Sequence, residues 1–322
     1  DSIPLVVISG QVASHLIGTD AFQETDMMGI SRPIVKHSFL IQSPEEIPEV
    51  VKKAFVIAKT GKPGPVVIDV PKDMTDPNHL FDYQYPKEIK MRSYSAPSEV
   101  EENHIEEAVS LLENAKKPVL YAGGGIIQGN ASEELIKLAN IMNAPVTNTL
   151  MGLGAFPASH NNFIGMLGMH GTYEANMAMH ESDLIFALGS RFDDRTTNNP
   201  QKYSLNAKKI HLDSDYGSIE KIINVDVSLN GDAKKILNQI LKKIDPKNID
   251  KASIELWNKE IQNWRETHGL NHDLLDKKFH QKQILPQQVI QSLYKSTNGK
   301  AFITSDVGQH QMFAAQYYKF DE

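Results

Sequence analysis

Short runs of apolar, largely β-branched residues recur along this chain: PLVVIS at 4–9, VVIDV at 66–70, PVLYA at 118–122, PVTNT at 145–149, DLIFAL at 183–188 and KIHL at 209–212. PLVVIS and VVIDV are near-continuous apolar runs, so these two strands are expected to be buried on both faces, the condition of a parallel sheet covered by helices. The helical stripes are present too. Ile47, Val50, Val51, Ala54, Phe55 and Ala58 share one face, as do Ile105, Ala108, Val109 and Leu112, and then Leu135, Leu138, Ala139 and Met142. Strand, helix and strand in repetition predict an α/β fold of doubly wound parallel sheets. Ser43 with Pro44 and Glu46, and Ser98 with Glu101, read as helix-starting capping boxes, and Gly61 as a stop.

At 322 residues the chain is long enough for more than one domain. Residues 1–78 read as an α/β unit that opens in mid-domain on a strand pattern without an initiator Met, and 79–97, polar and aromatic without period, as a linker. Residues 98–245 read as a complete α/β domain. Residues 246–283, rich in Lys, Asn, Gln and His and holding both tryptophans, read as a partly helical connector. Residues 284–322 open a further α/β unit with a helix from Pro286 and a strand AFITS at 301–305. About 39 residues cannot bury a core alone, so this piece is expected to lean on the first domain or to belong to a longer chain.

Hydrophobic residues at 40% and charged residues at 23% are ordinary globular proportions, which excludes a disordered or fibrous chain. The net charge of -7 without a long basic run leaves no electrostatic footprint for nucleic acid or anionic membrane, so small molecules are the expected partners. With no cysteine there is no disulfide, thiolate zinc site, iron–sulfur cluster or cysteine nucleophile. No apolar stretch approaches the roughly 18–20 residues of a membrane span, and no secretory pattern opens the chain; an intracellular protein is the expectation.

Chemistry is expected at strand ends. Gly123, Gly124 and Gly125 follow a strand and suit either a tight turn or the approach of a pyrophosphate to a helix N-terminus. The run DLIFAL ends in GSRFDDR with Arg191 and Arg195, KIHL ends in Asp213, and Gly231 and Asp232 open a helix. In a doubly wound sheet these ends share one crevice, where guanidinium forks can clamp anions and Asp213 can accept ribose hydroxyls. The segment MLGMHGT at 166–172 is either a Met-rich core entry or a soft surface against a flat group. Lys72 directly follows VVIDVP. His15, His37, His160, His180 and His211 have no metal-ligand spacing, and no G-x-S-x-G elbow occurs.

GTDAFQE (18–24), GKPGPVVIDVPKD (61–73), GMHGTYEANMA with GSRFDDR (within 168–195) and SDVGQHQM (305–312) closely resemble the catalytic subunit of biosynthetic acetohydroxyacid synthases, also called acetolactate synthases. These are thiamine-diphosphate enzymes of branched-chain amino acid biosynthesis. The resemblance covers nearly the whole chain in order and spacing. It implies part of a pyrimidine-binding domain, a complete Rossmann-like FAD-binding domain and the start of a diphosphate-binding domain. The implied reaction decarboxylates pyruvate and joins the two-carbon unit to a second 2-ketoacid, pyruvate or 2-ketobutyrate. The implied cofactors are FAD, thiamine diphosphate and Mg²⁺. The family's activating glutamate and its Mg²⁺-ligating GDG…N segment do not occur in these residues, so no metal ligand is assigned. A homodimer or homotetramer, a small regulatory subunit and a cytoplasmic, plastid or mitochondrial setting are further implications.

The resemblance places Phe22 and Gln23 beside the thiazolium, Lys72 near the channel and Arg195 on the acceptor's carboxylate. It places Val307, Gly308, Gln309 and His310 on the diphosphate. For FAD it implies Lys62, Gly124, Gly125, Thr149, Leu150, Leu167, Gly168, Met169, His170, Gly189, Arg191, Asp193, Asp213, Gly231 and Asp232. Lys62 departs from the family's usual Arg and Ala13 from its Pro. The loop GSRFDDR argues against the FAD-free catabolic enzymes. A flavin-binding structural module and another thiamine-dependent carboligase or decarboxylase are the alternatives.

Overall fold

The computed structural model describes residues 2–89, 91, 94, 100–270 and 284–322, and the chain divides into two compact units, 1–97 and 98–322. Each carries a parallel sheet.

In the first unit, β1 (Leu5–Gln11), β2 (His37–Leu40) and β3 (Pro65–Pro71) form a sheet of order β1-β3-β2. A short helix, α1 (Met27–Ser31), precedes β2, and α2 (Ile47–Lys59) links β2 to β3. Val50, Ala54, Ile57 and Ala58 of α2 pack with Ile41, Val66 and Ile68. The central strand β3 is buried as its apolar run requires, whereas β1 is a sheet edge with Leu5 and Ile8 more than half exposed. The expectation that PLVVIS is buried on both faces is therefore corrected: Leu5 and Ile8, an odd number of residues apart, point to opposite faces and both are exposed. The capping box at Ser43 does not form either. A 3₁₀ turn spans Pro44–Glu46, Ser43 makes no cap bond, and the Glu46 carboxylate instead accepts the amide of Gln42.

In the second unit, β4 (Pro118–Ala122), β5 (Val146–Asn148), β6 (Phe163–Met166), β7 (Leu184–Leu188), β8 (Lys208–Asp213) and β9 (Val227–Asn230) form one sheet in the order β6-β5-β4-β7-β8-β9. Every pairing is parallel. The helices are α3 (Glu102–Asn114), α4 (Gly124–Gln128), α5 (Ser132–Met142), α6 (Tyr173–Glu181), α7 (Asp194–Thr197), α8 (Ala233–Lys243) and α9 (Lys251–His268). Apolar residues of α3, α5 and α8 join one core with Leu120, Phe186 and Ile210, while Ala175 and Met179 of α6 and Trp257 and Ile261 of α9 join another with Val119, Tyr121 and Ile185. Adjacent residues of a strand face opposite sides, so both faces are covered, as a doubly wound sheet demands.

Helix α3 starts at Glu102 with Glu101 as an N-cap lacking a side-chain bond; Ser98 of the expected capping box lies outside the described residues. Within the expected connector, α9 packs Trp257 into the core, 1% exposed, with its indole N–H donating to the Pro118 carbonyl at 3.2 Å. Residues 271–283 of that segment lie outside the described residues.

Beyond them come α10 (Pro286–Thr297) and α11 (Gln309–Tyr317). AFITS is not a strand: 301–306 is irregular, Phe302 is fully exposed, and no described strand lies alongside to take its hydrogen bonds. The segment packs within the second unit. Ala158 donates to the Phe320 carbonyl at 3.0 Å, Ser159 to Asp321 at 2.8 Å, and Gln316 to the His170 carbonyl at 2.8 Å.

Candidate functional site at the strand ends

Because every strand of the six-stranded sheet is parallel, all carboxyl ends lie along one edge. The chain winds outward from β4 to β6 on one side and from β7 to β9 on the other, so the switch point lies between β4 and β7. That is where a crevice opens in such sheets. Gly124 and Gly125 follow β4, Thr149 and Leu150 follow β5, and Leu167, Gly168, Met169 and His170 follow β6. Gly189, Arg191 and Asp193 follow β7, Asp213 ends β8, and Gly231 and Asp232 follow β9. The expected FAD residues of this unit thus come together along one edge. Lys62 lies in the first unit, in the turn between α2 and β3.

The glycines at the switch point are dictated by the protein itself. A Cβ on Gly125 would stand 2.7 Å from the Gly189 Cα, one on Gly123 would meet the Gly189 carbonyl, and one on Gly124 would lie 3.0 Å from the Met151 carbonyl. Of the two readings of this triplet, the tight turn explains its composition without a ligand. Gly168 belongs to the same construction. It has φ +106° with Arg195 O at 2.6 Å from its missing Cβ, and Met169 donates to that carbonyl at 2.9 Å. Asn176 secures the turn further, accepting from the Gly168 amide at 3.1 Å and donating to its carbonyl at 3.0 Å.

What remains open along the edge is apolar surface beside guanidinium groups. Leu150, Met151 and Met169 are 42%, 49% and 63% exposed. Among the described residues Arg191 and Arg195 pair with their loop neighbours Asp193 and Asp194, at 3.7 and 3.8 Å, and both side chains are largely exposed. Asp193 caps α7 through the Arg195 amide at 3.1 Å, Asp232 caps α8 through Lys235 at 2.9 Å, and Asp213 accepts from the Asp215 amide at 2.8 Å. A flat ring system and a diphosphate fit this edge, the first on the exposed thioether and leucine surfaces and the second on Arg191.

Sequence reasoning missed the layer beneath the loop. Tyr121, Ala187 and His211 occupy one cross-strand row, and Phe192, 3% exposed, lies over it with ring centroids 5.9 Å from Tyr121 and 5.2 Å from His211. Tyr121 donates to the Arg191 carbonyl at 3.4 Å. Burial raises the phenols of Tyr121 and Tyr203 well above their ordinary range. Asn148, fully buried at the end of β5, has no hydrogen-bond partner on either amide atom. No periodicity marks these residues.

In the first unit, Glu24 closes the GTDAFQE loop: its carboxylate accepts the amides of Gly18 and of Ala21, the latter at 3.0 Å. These bonds hold the carboxyl below its ordinary pKa. The loop presents Phe22, 89% exposed, and Gln23, whose φ of +66° is left-handed. Lys72 is exposed just after β3 and borders a groove of about 580 Å³ with Gln11, Ile41 and Val70. The next residue, Asp73, accepts the Ser14 amide at 2.8 Å. Val307, Gly308, Gln309 and His310 lie at the start of α11, with Val307 exposed and Gly308 at φ +151°. Among the described residues no group of three or more His, Cys, Asp or Glu could hold a metal ion, and no helix is long and apolar enough to cross a membrane.

Residues 105–240, the body of the six-stranded sheet, match the family described as thiamine pyrophosphate enzyme, central domain. Over all of its length the chain is 54% identical to an acetolactate synthase large subunit of Buchnera aphidicola and 51% identical to that of Haemophilus influenzae. Over its whole length the chain is thus a homologue of part of the acetolactate synthase large subunits. A chloroplastic acetolactate synthase of Nicotiana tabacum is 43% identical over 99% of the chain. The chain spans about half the length of these curated relatives, 55%, 56% and 47% respectively. The GSRFDDR loop and the switch-point glycines lie within the residues that match the thiamine pyrophosphate enzyme central domain.

Proposed function

We propose that these residues form the FAD-binding domain and flanking parts of an acetolactate synthase catalytic subunit. It takes pyruvate, and pyruvate or 2-ketobutyrate as acceptor. The identity of 54% over the whole chain carries the reading, because a doubly wound fold hosts many unrelated functions. In this reading Arg191 pairs with the FAD diphosphate, Asp213 accepts a ribose hydroxyl, and Leu150, Leu167 and Met169 supply apolar surface. Gly124, Gly125, Thr149, Gly168, His170, Gly189, Asp193, Gly231 and Asp232 line the edge, and Lys62 is kept among the residues proposed for FAD. Thiamine diphosphate, when bound, supplies the electron sink for decarboxylation and carboligation. Phe22 and Gln23 serve its ring, Lys72 the substrate channel, and Val307, Gly308, Gln309 and His310 its diphosphate. The Arg195 fork holds the acceptor's carboxylate. No Mg²⁺ ligand is assigned to this chain. A homodimer or homotetramer, a small regulatory subunit and a cytoplasmic, plastid or mitochondrial location complete the reading.

The test is a chimera in which these 322 residues replace the matching segment of the Haemophilus influenzae large subunit. It is expected to bind FAD and to make acetolactate from pyruvate with thiamine diphosphate and Mg²⁺. A folded, FAD-loaded chimera without acetolactate would leave only the flavin-binding module.

A further inference from the structure

Fully buried on β8, His211 points its Nε2 at the Ser190 carbonyl, 2.9 Å away, while its Nδ1 is buried with no hydrogen-bond partner. A carbonyl only accepts, so Nε2 carries the proton, and a second proton on Nδ1 has no acceptor to meet. Ser190 and Phe192 flank Arg191. The first is held by His211 and by its own hydroxyl, which donates to the Tyr121 carbonyl at 3.3 Å; the second is packed over Tyr121, Tyr203 and His211. Arg191 is thus the exposed residue between two buried anchors. Ala187, between Tyr121 and His211 in the row, is small enough to leave room for the Phe192 ring.

We propose that His211 is a positioning residue: as a neutral imidazole protonated on Nε2, it clamps the Ser190 carbonyl and holds the 189–193 turn in the form that aims Arg191 at the FAD diphosphate. The consequence for FAD rests on the functional reading above; the clamp itself does not. A histidine that merely fills the core would be replaced without local effect by any side chain of similar volume. A clamp requires an N–H at the position of Nε2, which Gln can supply and Leu cannot.

The 322-residue chain and its His211→Leu and His211→Gln variants are compared by amide hydrogen exchange without FAD and by FAD titration. In His211→Leu the amides of 189–198 are expected to exchange about tenfold faster, those of β4 and β8 to stay as in the parent, and FAD to bind about tenfold more weakly, the scale of one lost hydrogen bond. His211→Gln is expected to restore both. Unchanged exchange at 189–198 in His211→Leu overturns the proposal. So does equal loosening in the Gln variant, which also decides the matter if the Leu variant does not fold. If the parent takes up no FAD, the FAD reading falls while the exchange comparison still judges the clamp.

Discussion

The amide of Gly125 donates to the carbonyl of Gly189 at 3.0 Å, joining the loops that leave β4 and β7 at the point where the sheet changes direction. The Gly123 amide donates to the Leu188 carbonyl at 2.9 Å just beside it. The crevice floor at the switch point is therefore backbone packed on backbone, and the loop that carries Arg191 leaves from that junction.

A methyl group at this junction has nowhere to go. Gly125→Ala places a Cβ 2.7 Å from the Gly189 Cα, and Gly189→Ala places one at the same distance from Gly125 while also forcing φ +56° on an L side chain. Each is expected to lower unfolding stability by about 1–3 kcal/mol, the Gly189 change by more because of the left-handed strain. Gly124→Ala, with its nearest neighbour at 3.0 Å, should cost less. Urea midpoints for the three variants check the order, and a Gly125→Ala chain as stable as its parent is the result that counts against it.

The strand core was legible because β3, β4 and β7 are dominated by apolar residues and lie in the middle of sheets. HSFL, FIGM and VSLN, now β2, β6 and β9, are four residues each, too short for an apolar run or an alternation to stand out from the flanking loops. PLVVIS and AFITS show the converse: an apolar run says that a strand can form, while pairing decides whether it does and on which sides. Glycine spacing located the crevice but could not separate a tight turn from the approach of a ligand, since the Gly189 loop that meets the Cβ positions of Gly123 and Gly125 is about 65 residues away in sequence. Asn148 and His211 gave no signal because their roles depend on which neighbouring strand ends stand beside them.

Helix α9 was obscured by its Lys, Asn and Gln content, although Ile254, Trp257 and Ile261 recur at helical spacing. Its burial predicts a global effect. Trp257→Ala removes a fully buried indole and leaves the Pro118 carbonyl without its donor, so a loss of about 3–5 kcal/mol is expected. Urea unfolding followed by far-UV circular dichroism measures it. A loss under about 1 kcal/mol would mean that the helix is dispensable to the sheet it covers.

Burial lowers the His211 imidazole below its ordinary value of 6.5, outweighing the opposite pull of Asp213 at 3.9 Å and the hydrogen bond to the Ser190 carbonyl; the phenols of Tyr121 and Tyr203 pack on Phe192, the ring next to it. The unfolded chain takes up this proton near the ordinary value and the folded chain does not. Stability is therefore full above about pH 6.5 and declines below it, by at most about 1.4 kcal/mol per pH unit, until the folded group titrates. Other histidines contribute too, so the difference from His211→Gln is the informative quantity. Between about pH 7.5 and 5.5 the parent's melting temperature is expected to fall further than the variant's; parallel curves would show that His211 does not titrate differently on folding.

Arg195 supports its surroundings through its backbone. Its carbonyl accepts from Met169, and its amide donates to the Asp193 carboxylate, while its guanidinium is 71% exposed with Asp194 at 3.8 Å. Arg195→Ala keeps both backbone bonds, so FAD should remain bound, and the effect should fall on the acceptor ketoacid. Losing one charged hydrogen bond to its carboxylate amounts to about 1.5–3 kcal/mol, or roughly 10- to 150-fold in carboligation. In the chimeric enzyme, flavin content is measured beside pyruvate decarboxylation and the dependence of carboligation on acceptor concentration. Retained FAD and decarboxylation with weakened acceptor use are expected. Retained FAD with unchanged acceptor saturation would mean that another residue holds the carboxylate, and loss of FAD would mean that the guanidinium also serves the flavin.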